Sequence, residues 1–353
     1  MSEEALVSDL TRDDLHALFY HMVLVRAAEE RLEVLLKQGH VQGSVYRSLG
    51  QEAGCVGAAY ALRRRTDGTG DVLGQTVRAA GAVFLFDGQP LDLFRQYLAR
   101  STSPTGGRES NVHWTDFQRG LLGPVAPLGT MVEIMAGITL SFRLRGEDRV
   151  GMVFCGDGAT STGAWHEGLN FAAARKCPMI LMVEANQWAF ATPTRKQTRV
   201  SSFTEKAPGY GIAAEAVDGT DVIAVYGAVS RAAERARRGE GTTMVELRYF
   251  RRKGHAQHDA QRYVPEAEIA AWQARDPVLM YNRRLLGEGW ATERELEALA
   301  ERAVAVTRDA AQQAVQEPMP VGADAVSDVY TDVATPRPWT RSHEPDATAL
   351  EER

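Results

Sequence analysis

The stretch RVGMVFCGDGATSTGAWHEGLNFAAARKCPMILMVEANQWAFAT, residues 149–192, decides how the chain is to be read. Residues 150–155 form a short apolar run that stops at Gly156-Asp157-Gly158. Trp165, Leu169, Ala172 and Ala173 then recur at helical spacing, and residues 179–183 are a second apolar run closing on Asn186. Strand, tight turn, helix and strand make one βαβ unit, whose two strands lie parallel. Asp157 and Asn186 are therefore expected at the carboxyl ends of strands in one sheet, where open α/β sheets bind ligands.

The residue types delivered there suit a magnesium diphosphate. Asp157 offers a hard carboxylate oxygen and Asn186 an amide oxygen, and phosphate oxygens would complete the octahedron that Mg²⁺ requires. Gly158 and Ala159 are expected where the turn enters the helix, with backbone N–H groups directed at a phosphate. Gly-Asp-Gly by itself is a common turn; the two strands, the intervening helix and the terminal Asn give it chemical meaning.

Working outward, 353 residues can bury a large core as one big α/β domain or two smaller ones. The 44% hydrophobic and 24% charged content is that of a soluble globular protein, and a formal net charge of −6 gives no reason to expect nucleic acid or an anionic membrane as partner. No apolar run approaches a membrane span. The acidic start, MSEEALVSDLTRDD, reads as neither secretory signal nor transit peptide, so a cytoplasmic location is expected. Cys55, Cys155 and Cys177 lack metal-ligand spacing and read as buried small hydrophobes in a reducing compartment.

Gly-Asp-Gly, 27 residues and then Asn186 resembles the thiamine diphosphate motif, and the surrounding text resembles the alpha subunit of two-subunit 2-oxo acid dehydrogenases, the decarboxylating first component of those complexes. The resemblance runs from about residue 15 to about residue 318. It implies an α/β thiamine diphosphate-binding fold, a parallel sheet flanked by helices with a helical C-terminal part, as one domain over residues 1–320. Residues 321–353, rich in Pro, Asp and Thr, read as a partly loose tail.

The resemblance also assigns roles. Mg²⁺ would be held by Asp157, Asn186 and the Trp188 carbonyl; the diphosphate by Gly158, Ala159, Arg78 and Arg251. A guanidinium suits a diphosphate because it makes bidentate contacts. Arg78 lies in DVLGQTVRAAG (residues 71–81), and Arg251 opens the run Arg251-Arg252-Lys253 after a predicted strand, TMVELRY. In residues 120–137, Ala126 and Leu128 would touch the cofactor, with Leu128 the apolar wedge under its two rings. Tyr46, beside GQEA, stands where many family members carry His; it reads as pocket lining or as a packed surface aromatic. His255, in the Gly254-His255 pair, is the catalytic candidate, and a ring that titrates near neutrality suits proton movement during acyl transfer. Three departures from family patterns matter. Val125 and Met131 replace two potassium ligands, Ala256 replaces a regulated Ser, and Tyr263-Val264 replaces a Tyr-Arg pair. No potassium site and no phosphorylation switch are expected.

The activity implied is oxidative decarboxylation of a 2-oxo acid, a branched-chain one favoured from residues 206–226, and acyl transfer to the lipoyl group of a dihydrolipoyl acyltransferase. Pyruvate or acetoin dehydrogenase, and a non-catalytic scaffold, are the alternatives. The family's beta subunit carries the glutamate that activates the aminopyrimidine. The chain is thus expected to be inactive alone and to work in a heterotetramer of two alpha and two beta subunits.

Overall fold

The computed structural model describes residues 10–41 and 43–326. The expectations for the first nine residues, and for the tail beyond residue 326, lie outside the described residues. In chain order the elements are α1 (Arg12–Lys37), α2 (Glu52–Tyr60), β1 (Val72–Gly74), α3 (Pro90–Tyr97), β2 (Leu121–Leu122), α4 (Thr130–Arg145), β3 (Gly151–Gly156), α5 (Gly163–Ala174) and β4 (Met179–Ala185). There follow β5 (Trp188–Ala189), β6 (Thr192–Pro193), β7 (Ala213–Asp218), α6 (Val222–Arg237), β8 (Thr243–Arg248), α7 (Glu266–Gln273), α8 (Pro277–Gly287) and α9 (Glu293–Gln316).

Six strands make one all-parallel sheet in the order β2-β1-β3-β4-β8-β7, while β5 and β6 form a small antiparallel hairpin. The βαβ unit expected from residues 149–192 is its centre, with Gly156 paired to Glu184 across β3 and β4. Successive strand side chains enter opposite layers. Met152, Phe154, Ile180, Met182, Val245 and Leu247 pack in one core with α1, α2, α3 and α6; Val153, Cys155, Leu181, Val183 and Met244 pack in another with α4 and α5. Burial on both faces explains why these strands read as continuous apolar runs. Each fully buried aliphatic side chain contributes about 1.5–3 kcal/mol.

Helix ends follow the local chemistry. Thr11 caps α1 in a reciprocal box with Asp14, and Thr292 does the same for α9 with Glu295. The small residues of α2 allow close packing: a Cβ on Gly57 would lie 2.5 Å from the Val222 carbonyl at the start of α6. The three cysteines are free and buried. No helix among the described residues is long and apolar enough to cross a membrane.

One expectation is corrected. The α-helix after Asp157 begins at Gly163 rather than at Gly158; residues Asp157–Ser161 form a 3₁₀ turn, and Thr162 caps α5 by accepting the Trp165 N–H. The Asp157 carboxylate accepts the next residue's N–H, a local bond that competes with helix entry. In the C-terminal helices Leu285, Leu296 and Ala303 are buried, and Leu279, Leu286 and Val306 are exposed.

Candidate active site

Parallel strands deliver the expected residues to one edge of the sheet. Arg78 follows β1, Asp157 follows β3, Asn186 and Trp188 follow β4, and Arg251 and His255 follow β8. From β1 the chain reaches the edge strand β2 through α3 on one face, then returns to β3 through α4 on the other. That reversal opens a crevice at the carboxyl ends of β1 and β3.

Asp157 is 2% exposed. Its carboxylate accepts from Gly158 N (2.8 Å), Thr194 Oγ1 (2.9 Å) and Gln197 Nε2 (3.4 Å), all neutral donors. Burial pushes its carboxyl up, opposed by those hydrogen bonds and by the Arg251 charge. Asn186 donates from Nδ2 to Gln51 Oε1 at 3.1 Å and accepts from Trp188 N at 3.4 Å, so its amide is oriented by this network. Left-handed backbone at Gln187 (φ 73°) and Phe190 (φ 50°) brackets Trp188 and folds the hairpin back. Gly158 makes room for that hairpin, since a Cβ there would lie 2.6 Å from Ala189 Cβ.

These groups fit a magnesium diphosphate. The donors are hard oxygens: one carboxylate, one amide and the Trp188 carbonyl. No group of three or more His, Cys, Asp or Glu that could hold a metal occurs among the described residues. A single carboxylate with amide and carbonyl oxygens suits a cation that takes its remaining ligands from phosphate and water. Around them Gln51 Nε2, Arg78 Nε and Gln197 Oε1 are buried without a hydrogen-bond partner, polar capacity of the kind a polar ligand satisfies.

Arg251 is buried and donates to the carbonyls of Trp188 (3.1 Å) and Phe190 (2.8 Å) and to Tyr263 Oη (2.6 Å). Its neighbours in the basic run are not part of the site. Arg252 pairs with Asp276 at 2.6 Å, and Lys253 faces Glu33 at 3.8 Å. Three adjacent cations along an irregular segment point different ways, so only one reaches the strand ends.

His255 and Tyr46 come together. Their rings meet edge to face at 5.5 Å, Phe190 tilts against the imidazole at 4.6 Å, and the Arg78 guanidinium lies 5.9 Å from the Tyr46 ring. Arg78 Nη2 donates to the His255 carbonyl and stands 3.5 Å from Nδ1. Asp259 accepts the His255 N–H at 2.7 Å and the Tyr263 hydroxyl at 2.5 Å, fixing the loop. Burial first, then the Arg78 and Arg251 charges, push the His255 imidazole down to about 4, so the ring is neutral at pH 7. A guanidinium can only donate, so Nδ1 is the acceptor and Nε2 carries the proton.

Ala126 and Leu128 are different. Both stand exposed on the loop before α4, Leu128 at 65%. Gly129 brings that loop to Thr162 at the start of α5. A cavity of about 620 Å³ beside the hairpin shares only Trp188 and Thr194 with the cluster described here. Sequence reading missed Gln51, Thr194, Gln197, Asp259 and Glu184. Only Glu184 carried a signal: it is an acid in an otherwise apolar strand.

The fold is a doubly wound α/β sheet with a polar crevice at its carboxyl edge, and the comparisons supply the family. Residues 20–322 match the family described as dehydrogenase E1 component, and the chain belongs to it. It is 31% identical over 330 residues to the alpha subunit of acetoin:2,6-dichlorophenolindophenol oxidoreductase from Cupriavidus necator, covering 93% of this chain and 98% of that protein. It is 32% identical to the 2-oxoisovalerate dehydrogenase alpha subunit of Bacillus subtilis, covering 91% and 96%. It is 29% identical to the pyruvate dehydrogenase E1 alpha subunit of Rhizobium meliloti, covering 93% and 92%.

Proposed function

We propose that this chain is the alpha subunit of a thiamine diphosphate- and Mg²⁺-dependent 2-oxo acid dehydrogenase, acting on a branched-chain 2-oxo acid. The observation that carries the reading is the convergence of Asp157, Asn186, Arg78, Arg251 and His255 at the carboxyl ends of neighbouring parallel strands. Thiamine diphosphate, when bound, supplies the carbanion chemistry of decarboxylation. The chain's own residues bind and orient it. Asp157, Asn186 and the Trp188 carbonyl would hold Mg²⁺; Arg78, Arg251 and the Ala159 backbone would hold the diphosphate, the Gly158 N–H being engaged by the Asp157 carboxylate; Ala126 and Leu128 would lie against the rings.

His255 then has a defined task. Its neutral ring presents an Nε2–H that would donate a hydrogen bond to oxygen on the reacting group and hold it as the acyl group moves on to a lipoyl acceptor. Tyr46 and Phe190 hold the ring plane. The glutamate that activates the aminopyrimidine would come from a beta subunit in a heterotetramer of two alpha and two beta chains, with a dihydrolipoyl acyltransferase as acceptor. The name of the Bacillus subtilis relative supports the branched-chain substrate; acetoin is the second reading, supported by the Cupriavidus necator relative at nearly equal identity.

The test is dye-coupled oxidation of branched-chain 2-oxo acids, pyruvate and acetoin by the complex isolated from native extract through this chain. Turnover of branched-chain acids that requires thiamine diphosphate and Mg²⁺ is expected. Preference for acetoin or pyruvate would overturn the substrate. Inactivity of a complex that contains a beta partner would overturn the enzymatic reading in favour of a scaffold.

A further inference from the structure

Glu184 has no place in the cofactor shell described above, and its charge is out of keeping with its strand. Ile180 and Met182 of β4 enter the core beneath α1 and α2, and Glu184 is the next residue on that face, 3% exposed. A carboxylate there is costly unless it is hydrogen-bonded. Two hydroxyls supply the bonds: Thr76 Oγ1 donates to it at 2.6 Å and Tyr249 Oη at 3.2 Å. Three segments that follow or form strands β1, β4 and β8 are thereby joined across β3 at the edge where the site lies.

Thr76 does two things at once. Its hydroxyl proton goes to Glu184, while its oxygen accepts the Ala79 N–H at 3.1 Å. The second bond closes a side-chain-to-backbone turn over residues 76–79, a geometry that Ser and Thr favour. The third residue of that turn is Arg78. A short 3₁₀ helix, Ala80–Leu85, continues directly from it, so the turn sets where the guanidinium emerges. A hydroxyl on a free rotor would leave that turn adjustable; one locked on a buried carboxylate fixes it.

We propose that Thr76 and Glu184 form a latch that sets the angle at which Arg78 meets the cofactor diphosphate. The inference rests on the reading of this edge as a thiamine diphosphate site. Thr76 and Glu184 are positioning residues: they act through Arg78.

The test uses the complex of the full chain with its beta partner, stripped of cofactor and titrated calorimetrically with thiamine diphosphate at saturating Mg²⁺. Thr76→Val should weaken binding about tenfold, as expected for loss of a hydrogen bond to a charged group. Thr76→Ser, which keeps the hydroxyl, should bind within about twofold of the wild type. Thr76→Ala, which is smaller and cannot clash, carries the same expectation as valine should the valine variant not assemble. In an Arg78→Ala background, Thr76→Val should add less than about twofold, because the latch then has nothing to aim. Wild-type affinity in both hydroxyl-free variants, or fully additive losses in the double variant, would overturn the inference while leaving the functional reading intact. A wild-type complex that binds no thiamine diphosphate would overturn the functional reading and this inference with it.

Discussion

The two ends of the candidate site are built to different standards. At the end proposed to take the metal and diphosphate, Asp157, Asn186 and Arg251 are buried, and each makes hydrogen bonds with segments far apart in sequence. At the end assigned to the cofactor rings, Ala126 and Leu128 stand on an exposed loop, an apolar side chain facing outward. Burying Leu128 by about two-thirds more of its surface would be favourable, as for any exposed aliphatic side chain. The contrast teaches that the polar half of the proposed site is built within this chain and the apolar half is left open, the arrangement expected if a partner subunit closes it.

The largest expected effect lies between the two ends. His255→Ala should lower turnover to a lipoyl acceptor by about 10³-fold, the upper scale for loss of a positioned hydrogen-bond donor, with cofactor affinity within about threefold of the wild type. Steady-state kinetics and cofactor titration on the same preparation check it. Asp157→Ala should weaken Mg²⁺-dependent cofactor binding about 10²–10³-fold, since it removes one partner of a buried charge interaction. Calorimetry with and without Mg²⁺ measures this, and equal binding in both conditions would break the assignment of the buried end to a metal.

Stability sharpens the comparison further. Leu169→Ala, in the fully buried face of α5, should cost about 2–5 kcal/mol in denaturant unfolding of the isolated chain. Leu128→Ala should stay within about 0.5 kcal/mol there, because little of its surface is buried, yet weaken association with the beta partner. A large loss of chain stability from Leu128→Ala would contradict the open end.

The smallest effect is a pH slope. His255 takes up a proton near 6.5 when unfolded but near 4 in the folded chain. The unfolded state therefore binds more protons across that window, and stability present above pH 6.5 is lost as pH falls through about 4. His255→Gln should flatten this part of the slope, and the His255 ring proton should titrate near pH 4 by nuclear magnetic resonance. A ring that titrates near 6.5 would place the imidazole in solvent.

Much of this could be read before the structure because it is local. The alternation of apolar runs with a helical spacing, and the turn residues between them, dictate β3, α5 and β4, and parallel strands force Asp157 and Asn186 to one edge. The start of α5 was misread because the Asp157 carboxylate bonds its own following N–H, a competition that residue spacing does not reveal. The run Arg251-Arg252-Lys253 looked uniform, but acids from α1 and the start of α8 claim two of the three. Gln51, Thr194 and Gln197 were illegible because each reaches its partner across dozens of residues, in contacts that only the packed sheet creates. Leu128 looked like any core leucine, since exposure leaves no mark on a single letter.

The most direct test of the account is turnover by the purified chain with and without its beta partner, at saturating thiamine diphosphate, Mg²⁺ and each 2-oxo acid in turn, read with an artificial electron acceptor. A chain that holds the polar half of a shared site should be silent alone and active once the partner is added. Turnover by the chain free of beta subunit would contradict the account, because the open end would then be complete as it stands.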